Sequence, residues 1–205
     1  MYAPDVRKQY GNTPLAWAAR NNNKDAVQAL LAKGAKVSLP CHAGLTPLHH
    51  AMRHSCHAVI DVLLGSAADV NALDTIGNAP IYYSAVEGDP PGTEKLITAG
   101  AIVNLANKNG VSPLMAAVWH NQQTIFDMVL NAGAAVDVAD SKGYTALHYA
   151  AQMGYANFVQ RLISAGAPVA AQARDGKKPL DLVGGNDEIR GMLEQAMPVA
   201  EAAAE

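Results

Sequence analysis

The sequence has only two cysteines and two phenylalanines among 205 residues, and no long apolar run. Cys41 and Cys56 are too few for a disulfide framework, which leads us to expect a reducing, cytoplasmic setting. Polar residues interrupt every apolar segment, so no membrane association is expected, and the opening MYAPDVRKQYGN lacks the apolar stretch of a secretory signal. A formal charge of −3 argues against a nucleic-acid partner held by bulk positive charge. Catalytic phrases are missing too: there is no G-x-G-x-x-G, H-E-x-x-H, C-x-x-C or G-x-S-x-G. Gly176-Lys177 is no phosphate loop, because Ala171 stands where its upstream glycine is needed. With carboxylates scattered along the chain, neither an enzymatic role nor a cofactor is expected. Aromatic residues amount to 5%, so small and aliphatic side chains must fill a thin, helix-rich core. The remaining composition, 50% hydrophobic and 16% charged, is that of a folded soluble chain.

What the sequence does have is a period. Gly11, Gly44, Gly77, Gly110, Gly143 and Gly176 follow one another at steps of 33 residues. A second ladder, Gly34, Ala67, Gly100, Gly133 and Gly166, keeps the same step. The phrases after the first ladder agree: NTPLAWAA, LTPLHHAM, NAPIYYSA, VSPLMAAV, YTALHYAA and KKPLDLVG. Such a register predicts a solenoid. The first glycine suits a tight turn, and Thr or Ser before Pro supplies an N-cap followed by the first helical residue. Leu-Ala-Ala then forms the narrow apolar face of a short helix. A second amphipathic helix follows, with Val27, Leu30 and Leu31, or Val59, Leu63 and Leu64, at helical spacing. The second glycine ends it. One such pair cannot bury its own apolar face, so stacking is obligatory.

The 33-residue unit, with T-P-L-H-x-A at Thr46–Ala51 and partly at Thr145–Ala150, resembles the ankyrin repeat. The resemblance implies an all-α-type solenoid of stacked helix-turn-helix units with short β-hairpin or loop fingers. It implies one solenoid over residues 1–197, with repeats at about 8–40, 41–73, 74–106, 107–139, 140–172 and 173–197. The first repeat resembles an N-terminal cap through Arg20–Asp25, and the last resembles a C-terminal cap, so a complete array is expected. Residues 198–205 are expected to fray.

Departures from the pattern mark expected weak points. Ala67 replaces a helix-ending glycine, a cost of about 1–2 kcal/mol if that residue stays left-handed; Gly65 offers an earlier stop. Ala79 and Lys178 lack the capping hydroxyl, at about 1 kcal/mol each. Asp89-Pro90-Pro91-Gly92 falls where the second helix of repeat three begins. Proline resists helix interiors, so a short helix from about Pro91 and a locally weak third repeat are expected.

Histidines concentrate in repeat two: His42, His49, His50, His54 and His57, beside Cys41 and Cys56. His50 and His54 share a helix face and could hold a metal together. The set is incomplete, however, and each residue has another role, so no metal site is expected. The resemblance gives His49 and His148 the task of tying neighbouring loops through the imidazole.

In the family, partners contact the fingers and the exposed end of each first helix, which implies a concave docking face. Carried over residue by residue, the contact candidates are Arg53, His54, Ile76, Lys108, Val111, Trp119, His120, Lys142, Tyr144 and Met153. Gln9, Tyr10, Arg20, Leu45, Asn78 and Glu87 also fall at such positions. Trp119 beside Tyr144 has hot-spot composition, whereas Trp17 and Tyr83, one position past the T-P-L-H site, are expected between helices. Arg20, Arg53, Lys108, Lys142, Arg174 and Lys177 outnumber Glu87 and Asp175 on this face. The expectation is a monomeric protein–protein interaction module for a partner with an acidic, partly apolar surface. An inhibitor or immunity-type subunit, or a secreted effector that blocks one enzyme or host protein, is the alternative.

Overall fold

The structure, a computed structural model, describes residues 11–197. Gln9, Tyr10, the expected start of repeat one and the 198–205 tail lie outside the described residues. The described chain folds as successive helix pairs: α1 (Pro14–Arg20) with α2 (Lys24–Ala32), and α3 (Pro47–Arg53) with α4 (His57–Gly65). α5 (Pro80–Glu87) and α6 (Pro90–Thr98) follow, then α7 (Pro113–Trp119) and α8 (Gln123–Asn131), then α9 (Ala146–Gln152) and α10 (Ala156–Ser164). In the last unit a single 3-10 turn, Pro179–Leu182, replaces the first helix and α11 (Asp187–Ala196) is the second. None of these helices is long and apolar enough to cross a membrane.

The repeated sequence dictates how each first helix begins. Thr13 Oγ1 accepts from the Ala16 N–H at 3.1 Å, and Ser112 Oγ from the Met115 N–H at 3.3 Å. At Thr46 the arrangement is reciprocal: its hydroxyl accepts from the His49 N–H at 3.4 Å, and His49 Nδ1 accepts from the Thr46 N–H at 3.1 Å. An imidazole thus fills the place that Glu or Gln takes in the usual capping box. Ala79 offers no such bond, and α5 starts on Pro80 alone.

First helices pack on first helices from α1 through α9 to the 3-10 turn, and α2, α4, α6 and α8 stack alongside. The core lies between these layers in registered rows. Leu15, Leu48, Ile81, Leu114 and Leu147 form one row, and Val27, Ile60, Thr93, Phe126 and Val159 another; every member is buried. Phe126 and Phe158 meet edge to face with centroids 4.7 Å apart, so the two phenylalanines fill one place where α8 meets α10. On the outer face, Lys95–Asp61 (2.6 Å) and Arg161–Asp127 (2.9 Å) tie successive second helices together.

The second helix of repeat three departs from expectation. α6 runs Pro90–Thr98, the same nine residues as its counterparts α2, α4, α8 and α10, so the prolines do not shorten it. The first turn of a helix needs no N–H donors from its leading residues. Pro90 and Pro91 occupy that turn while Asp89 Oδ1 accepts from the Gly92 N–H at 3.0 Å. Gly88 ends α5 in the left-handed conformation.

Gly65 does not end α4 early. It is the last helical residue, and Ala67 carries the left-handed turn at φ +59°. At Gly34, Gly100, Gly133 and Gly166, the same register position, an added Cβ would meet nothing within 4 Å. Only backbone strain therefore separates Ala67 from these glycines. Relief of about 1–2 kcal/mol, less about 0.4–1 kcal/mol for the looser unfolded chain, makes Ala67→Gly stabilising by roughly 0.5–1 kcal/mol. Urea unfolding at unchanged m-value checks this, and an equal or lower midpoint would refute the strain.

A further staple repeats at the opposite end of the pairs. Ser38 Oγ accepts from the Asp69 N–H (2.9 Å), Asn71 Oδ1 from the Ile102 N–H (2.8 Å), and Asn104 Oδ1 from the Ala135 N–H (2.7 Å). Each bond links one repeat to the next, so stacking is fixed by directed contacts as well as by apolar burial.

Candidate partner-docking face

The fingers are tight turns instead of hairpins. Among the described residues the only β-pairing is one isolated antiparallel bridge, Ala139–Thr145. Each turn is closed by two backbone bonds, such as Asp74 N–H to Asn78 O and Gly77 N–H to Asp74 O, both 3.0 Å. Neighbouring fingers are joined edge to edge. Thr75 donates to Ala43 O (3.0 Å), Lys108 to Ile76 O (3.0 Å), Ser141 to Asn109 O (2.8 Å) and Arg174 to Lys142 O (2.9 Å). This packing leaves no room for side chains at Gly110 and Gly143: a Cβ would stand 2.8 Å from Asp140 Cα and 2.8 Å from Arg174 N respectively.

Buried carboxylates hold two of the fingers. Asp140 Oδ1 accepts from the backbone N–H groups of Lys142 (2.8 Å) and Tyr144 (2.9 Å), while Oδ2 accepts the Tyr149 hydroxyl. Asp74 does the same for Ile76 and Asn78, both at 2.9 Å, and takes the Tyr83 hydroxyl at 2.6 Å. Burial and the adjacent carboxylate raise both phenols, Tyr83 to about 12. They therefore stay protonated and keep donating. These Asp–Tyr pairs escaped the sequence reading, although a signal exists: 74/83 and 140/149 are both nine apart, and both members change together to Asn107/Ala116.

His49 and His148 reach the next finger, as the resemblance implied. His49 Nε2 lies 3.1 Å from Asn78 O, and His148 Nε2 lies 3.2 Å from Lys177 O. Because each Nδ1 accepts from a backbone N–H at 3.1 Å, each Nε2 carries the proton and donates to that carbonyl. Burial pushes both imidazoles below their ordinary pKa, so the neutral form with this tautomer persists at neutral pH.

The structure separates the contact candidates. Arg53, His54, Lys108, His120, Lys142 and Met153 are exposed, as is Ile76 at 54%. Val111 is 5% exposed, and Asn78 and Leu45, one and two registers earlier, are buried with it. In these three repeats the position offers little contact surface, because its carbonyl closes the turn and its side chain is buried; Tyr144, one register later, is only partly buried and stays available. Trp119 is half-buried, packed edge to face on Tyr149 of the next repeat at 4.8 Å. Trp17, expected between helices, is instead 42% exposed with the Arg20 guanidinium 5.8 Å from its ring. Tyr83 is half-buried as expected. Of the two histidines that share a helix face, His50 is buried and His54 exposed, and no group of three or more His, Cys, Asp or Glu among the described residues is placed to hold an ion. Cys41 and Cys56 are buried free thiols.

Between the fifth finger and the last lies a cleft of about 520 Å³, lined by Ser141, Lys142, Tyr144, Tyr149, Gln152, Arg174 and Asp175. Its aromatic wall is continuous: Tyr144 and Tyr149 rings are 5.4 Å apart, and Trp119 extends the stack. Tyr144 donates to Asp175 at 3.1 Å, and Asp175 also pairs with Lys177 at 3.2 Å. Lys108 is spent on the Thr75 carbonyl at 2.8 Å. Lys142 and Arg174 have no ion-pair partner among the described residues, so the cleft is aromatic below and cationic at its rim.

A model for ankyrin repeats in three copies matches residues 1–74 and again residues 75–181. No curated protein matches the chain. The 33-residue register, the helix pairs and the linked fingers agree with that match over most of the sequence, and the chain belongs to the ankyrin-repeat family, whose members bind other proteins.

Proposed function

We propose that this chain is a recognition module that docks a partner protein on its finger face, centred on the cleft between repeat five and the final unit. The observation that carries this reading is the cleft itself, which Tyr144 and Tyr149 line together with Lys142 and Arg174, cations that have no ion-pair partner among the described residues. Rings fixed by hydroxyl bonds to Asp175 and Asp140 lose little entropy on contact, which favours them as anchors. The unpaired rim charges favour a partner with an acidic rim around an apolar anchor, and they speed its association. No chemical step is assigned to this face.

Trp119 acts here as the wall behind Tyr149, and its exposed edge adds contact area. Replacing Lys142 and Tyr144 with alanine is expected to weaken a captured partner by about 2 kcal/mol or more, with unchanged helical circular dichroism. Calorimetry on purified partner and variant checks this. Equal affinity for the wild type and the double variant would remove the cleft from the docking face.

A further inference from the structure

Six cations were expected along the finger face, and two have local partners: Lys177 is paired with Asp175, and Lys108 is tethered to the Thr75 carbonyl with its charge intact. The four without such partners among the described residues fall into two pairs, Lys142 with Arg174 and, at the other end, Arg20 with Arg53. The second pair belongs to no part of the cleft.

Arg20 closes α1 and Arg53 closes α3, and these helices pack side by side. Each guanidinium rests near a ring: Arg20 stands 5.8 Å from the Trp17 centroid and Arg53 5.5 Å from that of Tyr83. Stacking of this kind preorganises the planar fork while leaving its N–H donors free. Arg20 and Arg53 stand at the same register position at the ends of these packed helices and His54 follows Arg53, so the two charges share one small region and both bear on the imidazoles of His50 and His54. There His50, only 6% exposed, has a buried Nε2 with no hydrogen-bond partner among the described residues. Among the described residues, the carboxylate that acts on His54 is Glu87. Two guanidinium charges less one carboxylate leave a single positive charge, which suits one monoanion better than a dianion.

We propose that Arg20, Arg53 and His54 form a second subsite that receives an aspartate or glutamate side chain of the partner. It rests on the finger face being the docking face, but on none of the cleft residues. From repeat two to repeat five is three layers, about 25–30 Å at ordinary helix-packing distances. A partner touching both subsites therefore carries acidic groups about that far apart on its contact surface.

The test uses the full chain and a hexaglutamate peptide at low ionic strength, followed by NMR of the His54 ring and the Trp17 indole. His54 lies below its ordinary pKa through burial and the two arginines, with Glu87 opposing. A bound carboxylate offsets the arginines, so the peptide should raise the His54 titration midpoint and move the Trp17 signal. Arg20→Gln/Arg53→Gln keeps apolar stems on the rings and should weaken the peptide roughly tenfold, the loss of charge-assisted hydrogen bonds. Lys142→Ala/Arg174→Ala should leave the His54 response intact.

A His54 ring that ignores the peptide, or an equal response in the double glutamine variant, overturns the subsite. Inorganic phosphate producing a larger shift than the peptide at equal concentration overturns the carboxylate assignment. Loss of the response only in Lys142→Ala/Arg174→Ala overturns this subsite while leaving the cleft as the docking centre.

Discussion

Asp140→Ala is expected to lower the unfolding free energy by about 3 kcal/mol and to weaken partner binding further than that loss explains. The carboxylate is buried at 8% exposure and holds three donors: the Lys142 and Tyr144 amides and the Tyr149 hydroxyl. Hydrogen bonds to a charged group contribute about 1.5–3 kcal/mol each, and part of this is recovered when the exposed finger amides meet water. The buried Tyr149 hydroxyl recovers least. Its ring then loses its fixed position, and with it the floor of the cleft and the surface on which Trp119 packs. Asp140→Asn provides the internal control. Asn107 fills the same register position and still accepts from two finger amides, at 2.9 and 3.0 Å. The asparagine variant should therefore keep the finger, lose only the acceptor for Tyr149, and cost less than half as much. Chemical denaturation and calorimetry on both variants measure this, and equal losses would show that the finger bonds do not matter.

The second large effect concerns acid. The folded-state imidazoles of His49, His50 and His148 all titrate below the ordinary 6.5; burial dominates in each, and at His50 the charges of Arg20 and Arg53 bring the value to about 4. As pH falls below 6.5 the unfolded chain takes up protons that the folded chain refuses, so stability drops. For His50 alone the loss between pH 6.5 and 5 is roughly 2 kcal/mol, at 1.36 kcal/mol per unit. That window lies above the ordinary carboxylate range. His50→Ala, which copies the residue found at Ala116 one register apart twice over, should flatten the slope by about that amount. A parallel slope in the variant would mean that His50 is not held neutral.

Sequence spacing made the solenoid legible because a 33-residue step leaves few choices: Gly and Thr-Pro fix the turns and helix starts, and Leu48, Ile81 and Leu114 follow as a buried row. The fingers were less legible. Their geometry is set by side chains beneath them, and Asp74 or Asp140 reads as a surface charge until its Tyr partner nine residues later is noticed. The proline pair misled for a related reason, since only the cap at Asp89 places Pro90 and Pro91 in the tolerant first turn. Aromatic exposure was least legible. Trp119 has Tyr149 of the following repeat to lean on, whereas the position one register after Trp17 is His50, which is drawn inward. Register assigns a side chain to a face, and its neighbour one repeat away decides whether that face is covered.

The docking face is tested most directly by hydrogen exchange of the chain with and without a purified partner. The account predicts slowed exchange at the finger amides of Lys108, Ser141, Lys142, Arg174 and Lys177 and at the ends of α7 and α9, with α4, α6 and α8 unchanged. Protection confined to the outer faces of α4, α6 and α8, with the fingers exchanging as before, would contradict it.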